Sequence, residues 1–189
     1  LNNHVNKFIN KGINTTLNCP EEYLLAKKLL KINSFAEGVR FCRSGGEAMS
    51  IAVRIARAKT NTSKIAFSGY HGWHDWYLST NLQNKKNLNQ HLISNLSTSG
   101  VPIELKKTVF PFKFNSVSQL KKILSNNKSI KIIVIEGARK EMVSAQMTKY
   151  LKSIQKKHKM LIIFDEITSG LRTSLAGIYK KIKFTPNIV

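Results

Sequence analysis

Three short stretches of this chain bring together residue types that do chemistry. The first is Leu161-Ile162-Ile163-Phe164-Asp165-Glu166-Ile167, four apolar residues running into a pair of carboxylates. A run of that kind reads as a strand of a parallel sheet, buried on both faces. Asp165 then stands at the strand's carboxyl end, where open α/β sheets place their ligands. A carboxylate out of water needs a partner, because an unpaired buried charge is costly. A protonated ring nitrogen, a magnesium ion shared with Glu166, or the amides of a following helix would each serve. No G-x-x-x-x-G-K loop ending in Ser or Thr accompanies the pair, which weighs against a nucleotide-bound magnesium.

The second stretch is Ser44-Gly45-Gly46-Glu47-Ala48. Two glycines between an extended segment and a helix start let the backbone approach a ligand closely. The first amides of that helix, with its dipole, favour a phosphate. The same residues would equally make a plain capped turn. The third stretch is Gly69-Tyr70-His71-Gly72-Trp73. An aromatic between glycines at a strand's end can lie flat on a planar ring, or pack on its own core. Beyond Asp165, Ile167 is placed to touch the face of such a ring. Arg172 suits a carboxylate through its two-pronged guanidinium.

These residues must be held by the elements around them. Pro20 to Leu30 has Pro and acids at its start and apolar residues at helical spacing, so it predicts an amphipathic helix. Val39 to Arg43 reads as extended. A helix follows over Ala48 to Lys59, with Ala52, Ile55 and Ala56 on one face. Lys64 to Phe67 is a short strand delivering the aromatic turn. Residues 80–105, rich in Asn, Ser and Thr, read as one long loop, and loops of that length are usually functional or mobile. Lys107 to Phe112 and Ile130 to Ile135 are further strands, the latter ending in Glu136. Ser116 to Leu124, with a Ser cap, and Ser144 to His158 are helices. Alternating strands and helices predict an α/β fold, a mostly parallel sheet with helices on both faces.

At 189 residues the chain is long enough for one domain with a sizeable core. Its 42% hydrophobic content is that of a globular protein, with no apolar run long enough to span a membrane. Basic residues outnumber acidic ones 31 to 10, a net charge of +21. Such a charge attracts polyanions. The lysines are scattered, however, and abundant Lys, Asn and Ile match an AT-rich coding sequence. Nucleic acid is therefore not the expected partner, and neither is a membrane. Cys19 and Cys42 have no metal or redox spacing and are expected as thiols of a cytoplasmic protein. The chain lacks an initiator Met and stops on apolar residues at Ile188-Val189, which reads as a fragment at both ends.

Taken together, FCRSGGEAMSIAVRIARA, SGYHGWHDWY and LIIFDEITSGLR resemble the class III aminotransferases, which are fold-type I pyridoxal phosphate (PLP) enzymes. The likeness is to the glutamate-1-semialdehyde 2,1-aminomutase-like branch. It runs from about the Pro20 helix to Pro186-Asn187-Ile188-Val189, which is similar to the family's "PDI" segment. The resemblance implies that Gly45 and Gly46 bind the cofactor phosphate and that Tyr70 stacks on the ring with His71 beside it. It implies that Asp165 pairs with the ring nitrogen, that Ile167 touches the opposite ring face, and that Glu136 is the family's strand-end glutamate. Arg172 would receive a substrate carboxylate. His74 and Trp73 would be pocket wall. It further implies a homodimer that exchanges an amino group with an aldehyde or keto carbon of a small molecule, with no metal. Two departures stand out. The usual Glu-Pro is Glu136-Gly137, and a glycine-rich stretch is replaced by Ala138-Arg139-Lys140-Glu141-Met142. The family's Schiff-base lysine lies beyond the "PDI" segment, so residues 1–189 are expected to be a partial large domain. The catalytic lysine and the small C-terminal domain would be absent, and the piece alone inactive.

Overall fold

Every residue of the two long apolar runs is buried in the computed structural model, which describes residues 1–11 and 19–189. The chain divides into two units, Leu1–Arg40 and Phe41–Val189. The first carries helix α1 (Asn2–Ile9), not foreseen from its sequence, and helix α2 (Pro20–Ile32). In α2, Pro20 opens the first turn, Glu21 and Glu22 sit at the positive end of the helix dipole, and Lys31 lies at the negative end.

The second unit carries the predicted alternation: α3 (Gly45–Thr60), β1 (Ile65–Ser68), α4 (Asp75–Leu78), β2 (Val109–Pro111) and α5 (Val117–Asn126). It continues with β3 (Ile132–Glu136), α6 (Ala145–His158), β4 (Leu161–Asp165) and α7 (Ile178–Lys181). The strands form one sheet in the order β2-β1-β3-β4, parallel throughout. Ser44, Ser116 and Ser144 each cap their helix by accepting an N–H three residues on. The short helices α4 and α7 were not legible in the sequence, and residues 39–42 join no strand.

Side chains of a strand alternate between faces. Ile65, Phe67, Ile132, Val134, Leu161 and Ile163 therefore share one face and pack on Met49, Ala52, Val53 and Ala56 of α3. The buried stripe of α3 falls on these residues rather than on Ile55, which is 51% exposed. Ala66, Ile133, Ile135, Ile162 and Phe164 point the other way. There α5 packs on β1 and on α6, and α6 on β4. Each fully buried isoleucine contributes roughly 2 kcal/mol.

Residues 80–105 are not a plain loop. Short 3-10 turns occupy Ser79–Leu82 and Ile103–Leu105, and Leu88 is fully buried. Asparagine side chains do the joining: Asn81 Nδ2 donates to the Leu96 carbonyl at 3.1 Å, and Asn81 Oδ1 accepts the Leu88 N–H at 3.1 Å. At the outer edge of β4, Ile188 bridges Ile163 in parallel, and Asn187 Oδ1 accepts the Ile162 N–H at 2.9 Å. No helix among the described residues is long and apolar enough to cross a membrane.

Candidate functional site

The parallel register sets Glu136 beside Asp165 at the carboxyl ends of β3 and β4. Both share the parity of Val134 and Ile163, so both rise on the α3 side of the sheet. Burial there would be costly without partners, and the turn after β1 supplies them. His71 Nδ1–H donates to Asp165 Oδ2 at 2.7 Å, while His71 Nε2 lies 3.2 Å from the Ser68 carbonyl oxygen. Asp165 Oδ1 accepts the Ile167 N–H at 2.9 Å. Tyr70 N–H donates to Glu136 Oε2 at 3.1 Å.

Gly69 makes this approach possible. Its φ of +120° suits glycine, and a Cβ there would lie 2.6 Å from Glu136 Oε2. Its N–H donates to His91 Nδ1 at 3.3 Å, and its carbonyl accepts from Tyr77 Oη–H at 3.2 Å. Burial, then the neighbouring His71, push His91 down to about 4, so it stays a neutral acceptor. Burial, then the charge of Glu136, push the Tyr77 phenol up, so it stays a donor.

The glycine turn before α3 meets the same place. Ser44 Oγ accepts the Glu47 N–H and the Ser44 carbonyl accepts the Ala48 N–H. Among the described residues the N–H groups of Gly45 and Gly46 have no partner, and the first N–H groups of a helix point out of its start, as an anion requires. Ile167 lies against Gly45, since a Cβ on that residue would stand 2.9 Å from Ile167 Cδ1. A Cβ on Gly72 would stand 2.8 Å from Gly46 Cα, so the two turns touch backbone to backbone. The edge of the His74 imidazole closes over Gly46.

Gly45, Gly46, Tyr70, His71, Glu136, Asp165 and Ile167 thus lie in one region. Arg172 is set apart in an exposed turn, its N–H donating to the Ser169 carbonyl. Glu166 also diverges from Asp165. Its carboxylate accepts from Ser169 Oγ at 2.5 Å and from Tyr179 N–H at 2.8 Å, tying down the segment after β4. The described residues contain no cluster of three or more His, Cys, Asp or Glu that could hold a metal ion.

Arg139 belongs to the region but was read in the sequence only as part of a departure. Its Nε lies 3.0 Å and 3.2 Å from the two Glu136 oxygens, and Nη2 lies 2.5 Å from Oε1. Its guanidinium carbon stands 6.0 Å from the centre of the Tyr70 ring. The hydrogen bond to Glu136, with the charges of Glu136 and Asp165, raises the guanidinium further, against a smaller opposing effect of burial. The i, i+3 spacing of acid and base was the one signal that could have revealed it.

The arrangement offers an anion mouth, a half-buried aromatic ring, an exposed isoleucine side chain and a buried carboxylate. Asp165 has one lone pair engaged on each oxygen, and a carboxylate has about four such positions, so it can accept a further N–H. A phosphorylated, protonated aromatic heterocycle meets all four features.

The family model for class-III aminotransferases matches residues 1–180. A 3-aminobutyryl-CoA aminotransferase of Cloacimonas acidaminovorans is 31% identical over 97% of this chain and 42% of its own length. A glutamate-1-semialdehyde 2,1-aminomutase of Methanocaldococcus jannaschii is 30% identical over 98% of this chain and 46% of its own. A solved structure, a transaminase with PLP bound, is 25% identical with a TM-score of 0.78, covering 94% of this chain and 42% of that one. The chain spans less than half the length of these relatives.

Proposed function

The chain belongs to the class-III aminotransferase family, and from that premise we propose that its whole protein moves an amino group to or from an aldehyde or keto carbon, with pyridoxal phosphate as cofactor. Bound here, the cofactor supplies the electron sink for that exchange. The observation that carries the reading is Asp165, buried at the tip of β4 on the α3 side of the sheet with lone pairs to spare.

The residues divide the work. The Gly45 and Gly46 amides hold the phosphate. The Tyr70 ring and the Ile167 side chain would supply apolar contact to the heterocycle. Asp165 would accept a hydrogen bond from the ring N–H and so favour the protonated ring. His71 is a positioning residue: by donating to Oδ2 it fixes the carboxylate's rotation. Arg172 stands in an exposed turn apart from these residues and is given no part in this division.

Residues 1–189 are then part of the large cofactor-binding domain of a cytoplasmic homodimer. The lysine that anchors the cofactor and a small C-terminal domain belong to the length this chain does not span.

The test uses the full-length protein. It should bind one PLP per chain, and Asp165→Asn should weaken binding about tenfold or more, as loss of a charge-assisted hydrogen bond does. Borohydride reduction and digestion should place the label on a lysine outside residues 1–189. No binding at saturating PLP would end the proposal, and a label within this chain would end its division of labour.

A further inference from the structure

Arg139 is paired with the acidic tip of β3. Its side chain is 28% exposed, whereas Glu136 beneath it is 6% exposed. The guanidinium has two edges that can each grip a carboxylate. The Nε and Nη2 edge is taken by Glu136. Among the described residues Nη1 has no hydrogen-bond partner, and with the second hydrogen of Nη2 it forms an open end-on edge. The guanidinium as a whole stands beside Tyr70, its carbon 6.0 Å from the ring centre, and the Tyr70 backbone N–H is tied to the same Glu136.

The segment that carries Arg139 is stiff. Ala138 and Met142 form an antiparallel bridge, Arg139 N–H donates to the Glu141 carbonyl at 3.2 Å, and Val143 N–H to the Gly137 carbonyl at 3.1 Å. A guanidinium held at one edge and open at the other has little rotational freedom left to lose, so it binds a second anion at low entropic cost. Glu136 therefore orients Arg139 as well as neutralising it.

We propose that Arg139 is the specificity-determining residue of this site, receiving an anionic substituent, carboxylate or phosphate, on the amino substrate. The inference rests on the cofactor reading above. It places the recognition of negative charge on β3's exit rather than in the exposed turn of Arg172.

The experiment takes the full-length protein loaded with PLP and follows the cofactor's visible absorption as an amine converts it. Three amines of similar size are compared: β-alanine, phosphoethanolamine and propylamine. The unsubstituted protein should react faster with at least one anionic amine than with propylamine, and the two anionic arms tell carboxylate from phosphate. Arg139→Gln should reduce that preference roughly ten- to hundredfold, mostly through KM, as loss of a charge-assisted hydrogen bond does. The preference is a ratio, so a partly misfolded variant, which loses all three activities together, leaves it unchanged. Arg139→Lys, which keeps the charge without the fork, should restore part of it. The double variant Glu136→Gln/Arg139→Gln leaves no orphaned carboxylate and should show the same reduced preference. If the double variant keeps the original preference, Arg139 only neutralises Glu136 and the inference is wrong. It is equally wrong if the unsubstituted protein reacts no faster with either anionic amine than with propylamine. Failure of the cofactor reading is seen earlier, as no absorption band before any amine is added, and it takes this inference with it.

Discussion

His91 shows how a single side chain here links burial, hydrogen bonding and pH. It must stay neutral to accept the Gly69 N–H, and its pKa of about 4 lies below the imidazole value of 6.5. An unfolded chain takes up a proton near 6.5 that the folded one refuses until about 4. The unfolded state therefore binds more protons across that window, and stability falls as pH drops through it. The loss is on the order of 3 kcal/mol when complete, and this group contributes no slope above about pH 7. Urea midpoints of the full-length protein, taken stepwise from neutral to acid, should fall accordingly. His91→Gln, whose amide oxygen can accept the same N–H, should flatten that part of the curve. An unchanged slope in the variant would assign the pH dependence to other groups.

Among the elements, the segment between β1 and β2 departs furthest from its sequence pattern. A stretch of polar residues without period predicts a loop, yet Leu88 and Asn81 are buried within it. Asn81 joins Leu96 and Leu88, and Asn87 Nδ2 reaches the Thr80 carbonyl at 2.9 Å. Asparagine is useful for this because one amide both donates and accepts. Asn81→Ala would leave the Leu88 N–H and the Leu96 carbonyl short of partners, at a cost of about 2–3 kcal/mol. Limited proteolysis should then cut within residues 80–105 much faster. Asn89→Ala, at an exposed bond to the Asn95 N–H, should change the rate little. Equal cutting of both variants would mean that the Asn81 bonds do not anchor the segment.

For the molecule as a whole, the +21 charge is the most conspicuous property and the least specific. The lysines are spread over helices and loops of the chain, and the lysine–aromatic pairs among the described residues, such as Lys27 with Tyr23 and Lys121 with Tyr150, lie on separate elements. Their effect should be a diffuse attraction. Binding to random duplex DNA should appear at low salt and fall steeply, disappearing by about 0.15 M, because each phosphate contact releases counterions. Filter retention across a salt series decides this. Tight binding that survives at physiological salt would make the charge functional rather than compositional.

The sequence alone determined the fold class and named most of the residues that the structure brings into one region. Continuous apolar runs ending in Glu136 and Asp165 can be buried only between two layers of helix, and strands alternating with helices can pair only in parallel with short connections. The glycines of the two turns announced close backbone approach, and the cap residues announced the helix starts. What the sequence left open was every relation across long separations. His71 lies 94 residues from the carboxylate it orients, and His91 lies 22 residues from the amide it receives. Arg139 is near Glu136 in the chain, but only the tertiary structure sets it beside Tyr70. Local patterns are fixed by backbone period and turn chemistry, which neighbours in sequence decide. Which side chain answers a buried charge depends on register and packing, and these exist only once the sheet is assembled.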